Sequence, residues 1–186
     1  MHKDRGSGQA KGVSSKAAVE DSRSLVEGAP IFGGLSSEAL DFLEARFETV
    51  VREPGEYFLR EGDPPDGVYV LAEGNADVVK NNDGRAFAFA TITRGACFGE
   101  TAFVEVANQA AGVRASTACR AVHLSSKALH ELYKHDLPQF TLIQMNLGRE
   151  IARRFTTLGQ ILFEYSLAGR RKDIQPLVEA LTATLE

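Results

Sequence analysis

The sequence predicts a mainly β fold with helices at both ends, in which short strands close into a small barrel or jelly roll. Two observations support this class. Short apolar or alternating runs separated by turn residues fill residues 48–124, and the hydrophobic period before and after them is helical. Strands this short at this spacing are typical of closed antiparallel barrels, and 186 residues suffice for one such domain with appendages.

Seven strands are predicted in the central region. Chain reversals separate them, for example at Glu53-Pro54-Gly55 and at Asn81-Asn82-Asp83-Gly84, because proline fixes φ while glycine and asparagine tolerate a positive φ. The predicted strands cover residues 48–52, 57–60, 67–73, 76–80, 86–93, 110–115 and 118–124.

Helical periodicity is found on both sides of these strands. Ser36 is placed to cap a helix before the first strand, and a short helix is predicted to end near His135. Pro138, a residue favoured in a first helical turn, starts a long helix that Gly169 ends. Pro176 starts a last, short amphipathic helix.

Three segments follow from these elements. Residues 1–28 contain Gly, Ser, Lys and Ala with almost no large apolar groups, which predicts a flexible tail. Residues 29–166 form the barrel domain together with its long helix, and residues 167–186 form a terminal helical extension.

The long helix carries an apolar seam with steps of three or four residues. At about 1.5 Å per residue the helix is roughly 40 Å long, which is more than one small barrel easily covers. Association of residues 138–165 with the same helix of a second chain is therefore expected, and packing of the seam onto its own barrel is the alternative. The seam residues are Phe140, Ile143, Leu147, Ile151, Phe155, Leu158, Leu162 and Tyr165.

Composition and residue types argue against several classes of protein. The net charge of -4, without a dense basic patch, gives no basis for direct DNA binding, and no apolar stretch has the length of a membrane span. Cys97 and Cys119 lack metal-ligand spacing, which indicates reduced, buried thiols in a cytoplasmic protein. Neither a nucleophile motif nor a histidine pair with metal spacing is found, so no catalysis and no metal site are expected.

Phe98-Gly99-Glu100 lies in a glycine-rich strand exit that leads into a predicted one-turn helix. Such an exit offers backbone N–H groups to an anion, with an acidic side chain beside it that suits hydroxyl groups. Together with several shorter motifs, it resembles the cyclic-nucleotide-binding domain family over about residues 30 to 165, and residues 113–119 look like the bacterial Crp branch. The shorter motifs are Pro54-Gly55-Glu56, Arg60-Glu61-Gly62-Asp63, Val68-Tyr69-Val70-Leu71 and Glu73-Gly74.

The resemblance implies a double-stranded β-helix that buries cAMP or cGMP under a phosphate-binding cassette. It implies that Gly99 offers its N–H to the cyclic phosphate and that Glu100 accepts from the ribose 2′-hydroxyl. The family arginine that neutralises the phosphate aligns with Gln109, which Ala110 follows, and Asn108 stands where proline is common. The cassette is therefore predicted to be degraded at its phosphate contact.

The replacement of the family arginine by Gln109 can be expressed as a change in ligand affinity. Loss of a charge-assisted contact to a buried phosphate costs about 2–5 kcal/mol, or roughly thirtyfold to several-thousandfold in affinity. Arg114 is not expected to replace the missing charge, because it lies five residues further along a strand whose side chains alternate between faces. Leu158 and Gly159 stand where the Crp branch presents Thr-Ser to the base, which predicts weak polar recognition of the base as well.

The sequence thus predicts a non-enzymatic regulatory or adaptor module that acts mainly through protein–protein contacts. The alternative is a sensor that still binds cAMP, cGMP or another anion and signals by movement of its C-terminal helices. Under a third interpretation the cassette survives as scaffold, with Phe98 packed in the barrel, Gly99 forming a turn and Glu100 capping the short helix. A Crp-type transcription factor is not expected, because only residues 169–186 follow the long helix.

Overall fold

The computed structural model of the protein describes residues 23–170 and 174–176, and it confirms the predicted jelly-roll class. The strands are β1 (Glu48–Arg52), β2 (Tyr57–Leu59), β3 (Gly67–Glu73), β4 (Ala76–Asn82), β5 (Arg85–Ile92), β6 (Cys97–Phe98), β7 (Gly112–Ala115) and β8 (Cys119–Ser125). The helices are α1 (residues 23–28), α2 (Ser37–Glu44), α3 (Glu100–Glu105), α4 (Ser126–His135) and α5 (Leu137–Tyr165), with a 3-10 turn at Pro30–Phe32 and a π-helical turn at Ser166–Arg170.

Two antiparallel four-stranded sheets form the barrel, with strand orders β1-β8-β3-β6 and β2-β7-β4-β5. A buried apolar cluster joins them, because Leu59 and Val113 of the second sheet pack with Tyr69, Leu71 and Phe98 of the first. The core between the sheets is therefore formed by the inward-facing side chains of both.

All seven predicted strands are present, with ends that differ from the prediction by at most two residues. The hairpin between β4 and β5 turns at Asp83 and Gly84, whose φ values of 50° and 76° are the paired positive angles that favour Asp-Gly in tight hairpins. The sequence did not predict β6, because two residues are too few to show an alternating pattern.

The helices cover the outer face of the first sheet and form a second core. Val70 and Val122 of this sheet pack with Leu132 of α4 and with Ile143 and Leu147 of α5. The predicted cap of α2 is confirmed, because the Ser36 hydroxyl accepts from the Ala39 N–H at 3.2 Å. In α5, Pro138 lies in the first turn as predicted.

The predicted boundary of the N-terminal tail at residue 28 is wrong. Residues 23–28 are helical, and Leu25 and Val26 are buried in the second core. Arg23 pairs with Glu44 at 3.1 Å, which links this helix to α2. Two buried apolar side chains and one arginine thus pack this segment against the domain. Residues 1–22 lie outside the described part of the chain.

Helix α5 has two halves with different surroundings. Ile143 and Leu147 are fully buried against the domain, and Asn146 donates to the Gly33 carbonyl at 2.9 Å. In contrast, residues 152–161 are all exposed, including Phe155 and Leu158 of the predicted seam. Packing onto its own domain is thus right for the first half only, and no part of the described chain covers residues 152–161.

The C-terminal end differs in detail from the prediction. The α-helix ends at Tyr165, and a π-helical turn continues it to Arg170, past Gly169. The predicted terminal extension, residues 167–186, lies mostly outside the described residues. Within the described ranges, no helix is both long and apolar enough to span a membrane.

Candidate ligand-binding site

A cavity of about 490 Å³ opens between the second sheet, α3 and the exposed half of α5. All four site residues named from the sequence, Gly99, Glu100, Gln109 and Ala110, line it. These residues share it with an apolar wall built from Leu59, Val78, Ile92, Phe98 and Val113. The structure therefore brings the separated parts of the predicted cassette into one site.

Phe98 and Gly99 build the floor of this site. The Phe98 ring stacks on Tyr69 with centroids 5.1 Å apart and meets Phe58 edge-on at 5.4 Å. Gly99 has a φ of +82°, and a Cβ there would lie 3.1 Å from the Gly67 carbonyl oxygen. Glycine is required at this turn, so the scaffold role predicted for Phe98 and Gly99 is confirmed.

Glu100 is the first residue of α3 and is 1% exposed. Its Oε1 accepts from the Arg154 guanidinium, whereas its Oε2 is buried without a hydrogen-bond partner in the described part of the chain. The prediction that its side chain caps α3 is wrong, because Gly99 is the N-cap and makes no side-chain bond. Burial raises the pKa of Glu100, and this effect exceeds the opposing effect of Arg154.

Arg154 connects the cavity to α5. Its Nη2 donates to the Cys97 carbonyl at 2.7 Å, and its Nε lies 3.4 Å from Glu150 Oε1. Arg154 was not predicted as a site residue. The available signal was its position seven residues after the core residue Leu147, which places both on one face of the helix.

Gln109 also lines the cavity and lies in the loop before β7. Its backbone N–H donates to the Asp63 carbonyl at 2.8 Å, and its own carbonyl accepts from Gly62 at 2.8 Å. The side chain is 6% exposed, and its Nε2 has no hydrogen-bond partner. The loop after β2 therefore holds Gln109 in place while one of its donor groups remains unused.

Arg114, Leu158 and Gly159, which the sequence predicted to make no polar contact with a ligand, all lie outside the cavity wall. Arg114 does not line the cavity, whereas the preceding Val113 does, as strand alternation predicted. From α5, only Glu150 and Arg154 line it among the described residues, so Leu158 and Gly159 lie outside the wall.

The two cysteines are free and buried, as predicted. Cys97 lines the cavity, and burial raises the pKa of its thiol to about 12, which keeps it protonated at neutral pH. Among the described residues, no cluster of His, Cys, Asp and Glu could hold a metal ion.

Fold and cavity together define a small β-barrel domain whose long helix reaches the cavity. Residues 49–136 match the family model of the cyclic nucleotide-binding domain. The family predicted from the sequence is thereby confirmed.

Two curated relatives show sequence similarity. The cAMP-dependent protein kinase regulatory subunit of Schizosaccharomyces pombe is 34% identical over 94 residues, which cover 50% of this chain and 22% of that protein. The cyclic nucleotide-gated cation channel of Ictalurus punctatus is 30% identical over 166 residues, which cover 84% of this chain and 23% of the channel. The chain thus spans less than a quarter of either relative.

Solved structures show the same fold. A cyclic nucleotide-binding domain from Methylobacillus flagellatus has a TM-score of 0.66 at 22% identity, covering 77% of this chain and 81% of that one. The catabolite activator protein of Thermus thermophilus has a TM-score of 0.62 at 24% identity, covering 74% of this chain and 63% of that one.

Proposed function

We propose that this chain is a non-enzymatic regulatory module whose cavity binds cyclic nucleotides only weakly, and which acts mainly through protein–protein contacts of its long helix. The names of the relatives support a regulatory role, because one is a kinase regulatory subunit and another is a gated channel. The fold supplies a cavity and a helix in contact with it.

One observation carries the weak-binding part of this proposal. Arg154 is the sole basic side chain among the described residues that line the cavity, and it already pairs with Glu100 and the Cys97 carbonyl. At the other side, Gln109 offers a neutral amide to a phosphate. Without a cation beside it, a buried phosphate contributes about 2–5 kcal/mol less to the free energy of binding. The affinity for the cyclic nucleotide is therefore about thirtyfold or more weaker than with the arginine.

Calorimetric titration of the purified chain with cAMP and cGMP tests this. We expect the unmodified chain to bind both nucleotides with dissociation constants of about 1 mM. Gln109→Arg should bind them at least about thirtyfold more tightly. Gln160→Arg is the matched control, because it adds the same charge at an exposed position of α5 outside the cavity wall. Micromolar binding by the unmodified chain would contradict the proposal.

For the protein contact, we propose a second copy of this chain as the partner of α5. The exposed half of the helix carries Phe155, Leu158 and Ile161, which follow one another at steps of three residues along one face and are each about half exposed. A helix face this apolar is stabilised by burial, at about 25 cal/mol per Å² of apolar surface removed from water.

Light scattering as a function of concentration tests this contact. We expect the unmodified chain to form dimers and the Leu158→Glu variant to be monomeric, because a carboxylate cannot be buried unpaired in the interface. Val51→Glu is the control, since Val51 is a comparably exposed apolar residue on β1. A monomeric unmodified chain at high micromolar concentration would rule out the dimer.

A further inference from the structure

The charges around the cavity are unbalanced. Three carboxylates line it, those of Glu100, Glu105 and Glu150, against the single guanidinium of Arg154 among the described lining residues. The formal sum of these four groups is three negative charges minus one positive, or -2. An anion that enters this cavity therefore meets net repulsion rather than attraction.

The one guanidinium is committed to the chain's own groups. Arg154 donates to Glu100 and to the Cys97 carbonyl, and it lies within ion-pair distance of Glu150. Its charge is already balanced by Glu100, which is 1% exposed, and a phosphate that drew Arg154 away would leave this carboxylate buried and unpaired. Arg154 is thus a poor source of charge for an anionic ligand.

Two side chains that line this cavity each have a buried polar atom without a hydrogen-bond partner among the described residues. Glu100 Oε2 is an acceptor and therefore suits a ligand hydroxyl, whereas Gln109 Nε2 is a donor and suits a ligand oxygen or ring nitrogen. Both side chains are more than nine-tenths buried, so bulk water satisfies these atoms poorly. A ligand that satisfies both atoms needs a hydroxyl and a neutral acceptor, but no charge.

The remaining wall suits a flat or cyclic body. Leu59, Val78, Ile92, Phe98 and Val113 present apolar side chains to the cavity. With about 490 Å³ available, a ligand with two or three rings fits within this volume.

We infer that the cavity selects an uncharged ring compound with hydroxyl groups, of the nucleoside class, over the corresponding cyclic monophosphate. This inference rests on the proposed function, in that it takes the cavity to be a ligand site. Its physical basis is that a nucleoside retains the ring and the hydroxyl groups, whereas it avoids burying a phosphate charge among three carboxylates without a free cation.

Calorimetric titration with matched pairs of ligands tests the inference: adenosine with cAMP, and guanosine with cGMP, each on the unmodified chain and on Gln109→Arg. We expect at least one nucleoside to bind the unmodified chain about tenfold or more tightly than its cyclic monophosphate. We expect Gln109→Arg to reduce or reverse this preference. The 2′-deoxynucleoside of the pair should bind several-fold more weakly, because it lacks a hydroxyl for Glu100.

The other outcomes separate the two claims. Tighter binding of the cyclic monophosphate than of the nucleoside by the unmodified chain overturns the nucleoside inference. If neither class binds the unmodified chain but Gln109→Arg binds cyclic nucleotides, the inference also fails, while the degraded phosphate contact is supported. If no ligand binds either variant, the cavity is not a ligand site, and both the inference and the ligand-binding part of the proposed function are overturned.

Discussion

The two ends of the cavity are built from residues of different charge and are attached to different parts of the fold. At one end Glu100 and Arg154 form an ion pair between α3 and α5, with the carboxylate fully buried. At the other end Gln109 is neutral and is held by the loop after β2 through backbone hydrogen bonds. The charged groups and the contact with the long helix thus lie together, at the end where the resemblance places a ribose.

This difference shows which end can transmit a signal. Glu100 accepts from Arg154 of α5, so a ligand hydroxyl bound at Glu100 is expected to change this contact. Such a ligand therefore acts on α5. Gln109 is instead held by backbone hydrogen bonds to a loop of the barrel, so a group bound there is expected to act first on that loop. We therefore expect a ligand to act on the exposed half of α5 through the charged end, if it binds two helix positions with different affinities.

Removing the guanidinium at the charged end is expected to have the largest effect on stability. Arg154→Met keeps the apolar stem but leaves Glu100 buried and unpaired, and we expect a loss of about 2 kcal/mol in the free energy of unfolding. This figure is at the low end for a buried pair, because the Arg154 side chain is 45% exposed and solvent screens part of the interaction.

Urea denaturation measures this loss. Arg153→Met is the matched control, since the neighbouring side chain pairs with Glu150 at the surface and is 58% exposed. We expect it to change the free energy of unfolding by less than about 1 kcal/mol. Equal effects of the two substitutions would show that the buried pair is no stronger than the surface pair.

At the neutral end the expected effect is smaller and opposite in sign. Gln109→Met keeps the length of the side chain and removes the amide whose Nε2 is buried without a partner. We expect a gain of up to about 1 kcal/mol in the free energy of unfolding, because an unsatisfied buried donor is destabilising. Thermal denaturation measures it, and a clear loss of stability would mean that the amide is satisfied in the folded protein.

The smallest expected effect is a pH dependence confined to the charged end. Burial raises the pKa of Glu100, so the folded state holds its proton more tightly than the unfolded state. Protonation of Glu100 therefore contributes fully to the stability of the folded state below the pKa of the unfolded state, about 4.3. This contribution is lost as the pH rises through the pKa of the folded state. Relative to Glu100→Gln, the unmodified chain should therefore become less stable as the pH rises.

Urea midpoints of both proteins at several pH values between about 4 and 8 check this trend. The difference between the unmodified chain and Gln109→Met serves as the reference, since glutamine does not titrate and this difference should stay constant. If the unmodified chain instead becomes more stable than Glu100→Gln as the pH rises, the effect of Arg154 on the pKa of Glu100 is larger than the effect of burial.

The strands and the cassette could be predicted from the sequence because their signals are local. Alternating apolar residues and turn pairs such as Asp83-Gly84 define the hairpins, and Phe98-Gly99-Glu100 marks the site. Arg154 could not be found in this way, since its partner Glu100 lies 54 residues earlier in the chain and meets it only after α5 packs on the barrel. The docking of Leu25 and Val26 likewise depends on tertiary contacts that a polar segment does not reveal.

The central claim is that the phosphate end of the cavity lacks a free positive charge. The affinity of the unmodified chain for cAMP at physiological salt concentration, measured by calorimetry, tests it most directly. We expect a dissociation constant of about 1 mM. A dissociation constant in the low micromolar range or below would contradict it, because some other group would then have to neutralise the phosphate.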